Sequence, residues 1–584
     1  MKWFFVLSIY FLMESSGLEA QDTFGSIRLD QEGFYPAAPK LAIVIGPIPA
    51  THFYILRGGL PDTVFRGLLS SPMHSLNSSL VTEAADFSAL RQEGIYQIAI
   101  PGMALSFPFR IATQVHQTVA RSALKAFYFQ RASMPLEPAY AGKWQRKSGH
   151  PDDAVLIHPS AASENRRAGS QIATPGGWYD AGDYNKYVVN SGISTSTLLS
   201  AYEDFSGYFD TLHTHIPSLG KPIPDILNET LYNLRWMLSM QDPEDGGVYH
   251  KCTNAEFDAM IMPEAAQKPR YVVEKTTAAT LDLAAVAAQA ARVFASFKKE
   301  LPGFSDSCLS VAEKAWSWAE RHPDRIYDQQ AMNRQFEPKI NTGAYGDKKI
   351  SDEWFWSASE LYLTTRNKKY KPVLEKYFDE PFGLPSWSET GLLAYYDLIR
   401  QKSDLGLPIG KDSIRNRLIR MADQYLLSAG KNAFLTVMGG RKSDFTWGSN
   451  SNAANQGILL IQVYFLTHNP KYLEAALGNL EYLLGRNATG YCFITGMGQF
   501  STLHPHHRPS IADGVIEPIP GMLAGGPNPG EQDHCVYVFH DPERAYVDSD
   551  GAYASNEIAI NWNAPLVYLA NAIEVLEENI SNVK

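Results

Sequence analysis

Two carboxylates three residues apart, Asp180 and Asp183, stand in the stretch GGWYDAGDYNKY (176–187), behind a pair of glycines and among aromatic side chains. Like charges this close repel, and the arrangement makes chemical sense when both face one small polar ligand. Two carboxylates in a cleft can hold a water molecule and make it a better nucleophile. The residues that follow, NKYVVNSGISTSTLLSAY, read as a helix, so both aspartates are expected near a helix N-terminus, where the macrodipole favours the ionised form. The ordinary reading of a bare DxxD is an N-cap aspartate beside a surface one, so the pair does not decide the matter alone. A second stretch, RAYVDSDGAYASNEIAINWNAPL (544–566), places Glu557 at the start of a strongly apolar final helix, beside Asn556 and within reach of Trp562, with Asp548 and Asp550 ahead of it. A carboxyl against apolar aromatic surface has its pKa raised and can then donate a proton near neutral pH. Its bland alternative is an acid complementing the helix dipole. A third stretch, STLHPHHRPS (501–510), gathers three histidines and an arginine. HxHH lacks the i,i+4 spacing of a helical zinc hydrolase and Pro505 forbids a regular helix, so His506, His507 and Arg508 are expected to donate hydrogen bonds to ligand hydroxyls rather than to bind metal.

The elements that must carry these residues fall into two regimes. From about Gln21 to Thr113 short apolar runs (KLAIVIG, HFYILRG, DTVFRGLL, GIYQIAIPG, FPFRIA) alternate with Gly, Pro, Asp and Ser, which predicts a β-sandwich of immunoglobulin-like size. From Val115 the period becomes helical, and about a dozen helices can be counted. Several are apolar nearly all round, which implies burial on more than one side. Paired inner and outer helices closing a barrel explain both features; no fixed-length repeat supports a solenoid. The irregular stretches 143–180, 243–272, 430–450 and 488–556 are rich in Gly, aromatics, His and Asp, and loops of that length are usually functional when they are ordered.

Composition narrows the partners. With 45% hydrophobic and 19% charged residues the chain has an ordinary globular balance, and a net charge of −11 argues against nucleic acid, which requires a basic face. An acidic surface with 12% aromatic residues suits a neutral ligand such as a sugar. The opening MKWFFVLSIYFLMESSGLEA has an apolar run from Trp3 to Met13, too short to span a bilayer comfortably, and reads as a secretory signal cut near Ala20. Export without a membrane anchor is therefore expected. Four cysteines, 252, 308, 492 and 535, form no CxxC pair, so the protein is held by its core; Cys492 and Cys535 flank the busiest region and are read as two thiols, with pairing as the alternative.

Together these stretches resemble glycoside hydrolase family 9, the cellulase family with an (α/α)6 barrel, in the branch carrying an N-terminal immunoglobulin-like domain. GGWYDAGDYNKYVV, PHHRPSIADGV…GGPN and YVDSDGAYASNEIAINWNAP carry the likeness, with DGGVYHK, YGDKKISDEWFW, WGSN and YLLGRN in support. The resemblance implies a signal peptide at 1–20, a sandwich at 21–113 and a barrel at 114–584. It implies Asp183 as general base, Asp180 orienting the water, Glu557 as general acid, and His506, Arg508 and Asp548 as supports that bind sugar hydroxyls or position the acid. It also implies inversion at the anomeric carbon. Trp178, Tyr179, Tyr184, Trp447 and Trp562 would offer faces for pyranose rings, with Tyr553 and His507 as further substrate contacts. The expected reaction is endo-hydrolysis of β-1,4-glucan by a monomer. An exo-acting β-glucosidase or glucosaminidase, a xyloglucan or mixed-linkage glucanase, and a non-catalytic glycan-binding protein are the alternatives. Phe500 and Cys492 depart from the family pattern and leave substrate preference open. No cofactor is expected for catalysis. The resemblance implies no zinc, because QIATPGG lacks the Cys-His pair, and it allows a structural calcium at Asp352 and Glu353, for which an acidic helix N-terminus is the alternative.

Overall fold

The computed structural model describes residues 25–581 apart from 49, 59–61, 221, 402–405 and 407–409, so the expected signal segment lies outside the described residues. Nine strands, β1 (Ile27–Arg28), β2 (Gly33–Phe34), β3 (Leu41–Ile45), β4 (His52–Arg57), β5 (Thr63–Leu68), β6 (Met73–His74), β7 (Val81–Asp86), β8 (Gly94–Ala99) and β9 (Phe109–Ile111), form two sheets ordered β1-β3-β7-β6 and β2-β9-β8-β4-β5. All pairings are antiparallel except β2 with β9. Period-two alternation sends Phe53 and Ile55 of β4 into the core with Val44, Phe87, Ile98 and Phe109. β3 breaks the alternation because both of its faces are covered: Ala42 and Val44 face the sandwich core, while Ile43 packs on Ala433, Phe434 and Ala488 of the helical domain.

Of the seventeen helices that follow among the described residues, twelve build the barrel: α1 (Gln117–Phe129), α2 (Val188–Phe209), α3 (Asp225–Ser239), α4 (Thr277–Phe294), α5 (Phe304–Arg321), α6 (Ser351–Thr365), α7 (Lys371–Tyr377), α8 (Gly391–Arg400), α9 (Lys411–Ala429), α10 (Ser449–Thr467), α11 (Pro470–Leu483) and α12 (Ile560–Val575). The even-numbered ones are buried nearly all round, as in TAATLDLAAVAAQAARVF of α4, and form the inner ring; the odd-numbered ones are more exposed and each packs outside an inner partner. The inner helices run the same way round. Their C-terminal halves meet in a buried polar network in which Arg292 and Arg400 pair with Glu203, Asp204, Glu360 and Asp397, and in which Gln462 and Tyr568 also reach Asp204. Residues from all six inner helices take part. Their N-terminal ends therefore converge at the other end of the barrel, where the chain segments entering them build the cleft.

The stretches 143–180 and 243–272 are less irregular than the sequence suggests. They contribute β10 (Val155–Ile157), β11 (Gln171–Ile172), β13 (Lys251–Asn254) and β14 (Arg270–Val272), which with β12 (Lys186–Tyr187) make a sheet ordered β11-β10-β14-β13-β12. Strands of two to four residues leave no readable periodicity. Asp152 anchors this sheet, 2.8 Å from the Lys186 ammonium and 3.0 Å from Arg270.

Candidate active site

A cleft of about 1110 Å³ opens at the N-terminal ends of the inner helices and is lined by Asp180, Asp183, His506, Arg508 and Glu557. Aromatic walls come from Tyr345, Trp387, Trp447, Tyr553 and Trp562.

The aspartate pair is not held by a helix end as the sequence suggests. β12 intervenes, α2 begins only at Val188, and the N-cap Tyr187 offers no side-chain cap. Specific donors do the holding. Asp180 accepts from Asn190 Nδ2 on Oδ1 at 2.5 Å and from the Tyr345 hydroxyl on Oδ2 at 2.7 Å. Asp183 Oδ2 accepts from Asn185 Nδ2 at 2.5 Å and from the Tyr187 hydroxyl at 3.2 Å. Burial, and then the neighbouring charge of Asp183, push Asp180 up to about 8, against the opposing pull of Asn190 and Tyr345. The two carboxylates are thus close enough for Asp183 to favour the protonated form of Asp180.

Between them Gly182 serves a packing role. A Cβ there would lie 2.1 Å from the His506 carbonyl oxygen, so only glycine permits this approach. Its N–H donates to Glu557 Oε1 at 3.3 Å, and its carbonyl accepts from Arg508 Nη1 at 2.8 Å. Glu557 lies in extended backbone between a short turn (Tyr553–Asn556) and α12, paired with His506 in a parallel bridge, rather than in the final helix. Burial, followed by the charges of Asp183 and Asp180, raises its carboxyl well above the usual carboxylate range, with Arg508 opposing. The cleft thus sets a carboxyl whose protonated form is favoured beside the aspartate pair.

His506 Nδ1 lies 2.6 Å from the Asp550 carbonyl, an acceptor only, so this nitrogen carries the proton. Burial first among its causes lowers the imidazole's pKa, leaving a neutral ring in the cleft. Asp548 does not line the cleft. It accepts from the Leu503 and His504 N–H groups and from Asn556 Nδ2, and so fixes the turn before His506 to the residue before Glu557. Arg508 lines the cleft, with its Nε bound to the Asp258 carbonyl.

Four expected contacts face away from the cleft. Trp178 is fully buried, with its indole N–H on Glu229 and its ring against Phe127. Tyr179 is also fully buried and meets His150 Nδ1 at 2.8 Å; Tyr184, bound to the Ile261 carbonyl, packs beside it. His507 lies in the core between Ser510 and Gln130, and burial pushes its pKa down to about 3. Trp447, Tyr553 and Trp562 do line the cleft: Trp447 is 43% exposed, its ring 5.6 Å from that of Tyr553, and Trp562 passes so close to Gly448 that a Cβ there would meet Nε1 at 2.5 Å. Phe500 and Cys492 are not in the cleft wall; Phe500 stacks on Tyr491 at 4.1 Å, and Cys492 and Cys535 are separate thiols. Residues that sequence reasoning missed are Tyr345, Asn190, Tyr187, Asn185 and Trp387. Asn190 stands among the serines and threonines of α2, so its polarity gave no separate signal.

Asp352 and Glu353 stand in the first turn of α6, buried and not part of the cleft lining. Asp352 Oδ2 accepts from the Thr390 N–H at 2.7 Å, while its Oδ1, both oxygens of Glu353, both of Asp282 and Oδ2 of Asp347 find no partner. Among the described residues no three such side chains already stand at metal-binding spacing, so the oxygens would have to draw together around an ion. Their chemistry fits a hard divalent cation, which takes six to eight oxygen ligands.

Residues 116–570 match the model of glycosyl hydrolase family 9, and residues 22–104 match the cellulase N-terminal Ig-like domain. The chain is 43% identical to the xyloglucan-specific endo-beta-1,4-glucanase BoGH9A of Bacteroides ovatus, over 94% of each chain. It is 30% identical to endoglucanase D of Acetivibrio thermocellus, over 93% of this chain and 82% of that one. The solved structure of Bacteroides ovatus GH9 superposes with a TM-score of 0.89 at 42% identity, covering 94% of this chain and 99% of the other.

Proposed function

The chain belongs to glycosyl hydrolase family 9, and on that premise we propose that it is an exported, inverting, endo-acting β-1,4-glucanase with Asp183 as general base and Glu557 as general acid. A glucan lies along the cleft against Trp447, Tyr553, Trp562 and Trp387. A water held at Asp183 and oriented by Asp180 attacks the anomeric carbon and gives its proton to Asp183. The bond from that carbon to the departing glucosyl oxygen breaks, and Glu557 protonates the oxygen as it leaves. Attack from the face opposite the leaving group inverts the anomeric centre, which requires the base and acid to stand roughly 6.5–9.5 Å apart with a water between. The observation that carries this reading is the placement of Asp180, Asp183 and Glu557 together in the lining of one open cleft, where burial and then the neighbouring aspartates raise Glu557 toward its protonated form. Xyloglucan as the preferred glucan is a second reading, favoured by the 43% identity to a xyloglucan-specific relative. A structural calcium at Asp352 and Glu353, with Asp282 and Asp347 as further oxygen donors, belongs to the same proposal.

Hydrolysis of cello-oligosaccharides, carboxymethylated cellulose and xyloglucan, with products sized and anomers followed by NMR, tests it. Internal cuts giving α-anomers, lost by a factor of roughly 10² to 10⁴ in Asp183→Asn and Glu557→Gln, are expected. Initial β-anomers would refute inversion, release of single sugars from one end would refute endo action, and no turnover on any β-glucan would refute the enzyme assignment.

A further inference from the structure

The turn between β1 and β2 of the sandwich carries Gln31, whose side chain is 6% exposed and leaves its own domain. Its Nε2 donates to the Gly490 carbonyl at 2.9 Å, and its Oε1 accepts from the Gln499 N–H at 2.9 Å and the Phe500 N–H at 2.8 Å. The neighbouring Glu32 accepts from the Gly498 N–H at 2.6 Å. The receiving loop is shaped for this one amide. A Cβ on Gly485 would lie 2.6 Å from Gln31 Nε2, and one on Gly498 would lie 2.8 Å from Oε1; both glycines have positive φ.

From that loop a series of buried hydrogen bonds runs to Asn556, the residue before Glu557. The backbone of Phe500 and Thr502 pairs with Cys492. The Tyr546 hydroxyl donates to Asn556 Oδ1 at 2.5 Å, so the Thr502 hydroxyl, 2.6 Å away, must donate to Tyr546. Asn556 Nδ2 in turn donates to the His504 carbonyl and to Asp548, and the Asn556 carbonyl accepts from the His506 N–H at 2.9 Å. Glu557 follows at once, bridged to His506. Thr502 and Asn556 are fully buried, and Tyr546 nearly so. Asn556 ties this series to His504, Asp548 and His506 at once, so a shift reaching it must be taken up there or leave a buried polar atom unpaired.

We propose that Gln31 is a positioning residue for the reaction: the sandwich sets the place of Glu557 and His506 through Gln31, Thr502, Tyr546 and Asn556. This rests on Glu557 being the general acid, and the test separates the two claims. Two substrates are used with the full chain, a cello-oligosaccharide, whose leaving sugar needs protonation, and an aryl β-cellobioside with a nitrophenolate leaving group, which departs without it. For Gln31→Ala and Thr502→Val we expect kcat on the oligosaccharide to fall tenfold or more with KM little changed, and kcat on the aryl glycoside to stay within about threefold of wild type. The double variant should lose far less than the product of the two single losses, because both cut one chain. Equal losses on both substrates, multiplicative losses in the double variant, or a fall in KM affinity alone would overturn the proposal. Gln31→Glu, which keeps the acceptor and loses the donor to Gly490, guards against a general interface defect: it should retain more oligosaccharide activity than Gln31→Ala. If Glu557→Gln itself showed no difference between the two substrates, the acid assignment would fail rather than the relay.

Discussion

Replacing Tyr345 with Phe removes a hydroxyl that donates to Asp180 and accepts, at 3.4 Å, from Asn190 Nδ2. The hydroxyl donates to Asp180 Oδ2 at 2.7 Å, while the ring packs 4.7 Å from Tyr187 and 5.2 Å from Trp387, and these packing contacts survive the change. Tyr345 has φ of 50°, in the left-handed region, and phenylalanine inherits the same strain, so the variant measures the hydroxyl alone. A hydrogen bond to an ionisable group contributes about 1.5–3 kcal/mol, and its loss at a water-orienting carboxyl should lower kcat roughly 10- to 150-fold. The sign on pH follows from the same geometry. Burial and Asp183 raise Asp180 to about 8 while Tyr345 and Asn190 pull the other way, so losing Tyr345 moves this titration to higher pH. The assay is steady-state hydrolysis of a cello-oligosaccharide from pH 5 to 9.5, with thermal unfolding as a control for folding. A kcat within threefold of wild type, or a loss confined to KM, would show that Asp180 does not act on the water through this contact.

Gly182→Ala should lower kcat at least a hundredfold and cost about 1–3 kcal/mol in urea unfolding, since its Cβ would lie 2.1 Å from the His506 oxygen and must push the His506–Glu557 pairing apart. Millimolar calcium should raise the melting temperature and a chelator lower it, and Glu353→Gln should abolish the response; a wild-type melting temperature indifferent to both would exclude the site. His116 reports on the domain junction: burial alone would lower its pKa, but Asp30, at 2.8 Å, with Glu574 and Glu481 lifts it to about 9. A folded pKa above the unfolded 6.5 contributes stability that is full below pH 6.5 and disappears as pH rises to about 9. The stability difference between wild type and His116→Gln should therefore shrink by about 3 kcal/mol from pH 6 to 9.5, and a constant difference would refute the charged pair.

The fold was legible wherever one period ran long enough. Inner helices such as α4 and α10 announce themselves by apolar residues on every side, a pattern that only burial in a ring accounts for, and the sandwich shows its alternation in β4. β3 is the instructive exception, because LAIVI is apolar at both phases and the reason lies in another domain, the Ala433–Phe434 surface that covers its outer face. The small sheet around Asp152 was illegible for a different reason: strands of two to four residues contain at most two repeats of the period, too few to separate from loop.

The site shows the same limit at the level of single side chains. Asp183 and Glu557 could be singled out by local cues, close carboxylates in one case and a carboxyl among apolar residues in the other, but only the family resemblance attached roles to them. Their neighbours in sequence could not be sorted the same way, because consecutive residues in extended backbone point to opposite sides. His507 has φ −147° and ψ 110°, so with His506 in the cleft wall it must turn to the core, where Gln130 and Ser510 receive it. Chemical type made the two histidines look alike, and backbone phase separated them. The converse holds for Tyr345, Asn190 and Trp387. Each lies in a different segment entering the barrel, and nothing in any one segment indicates that their N-terminal ends meet. A barrel of inner helices running one way round brings six such ends to one place, so residues dispersed over nearly four hundred positions can line one cleft. The same dispersal explains why Gln31, 526 residues before Glu557 and in another domain, can sit at the far end of a hydrogen-bonded series that leads to Asn556 beside it.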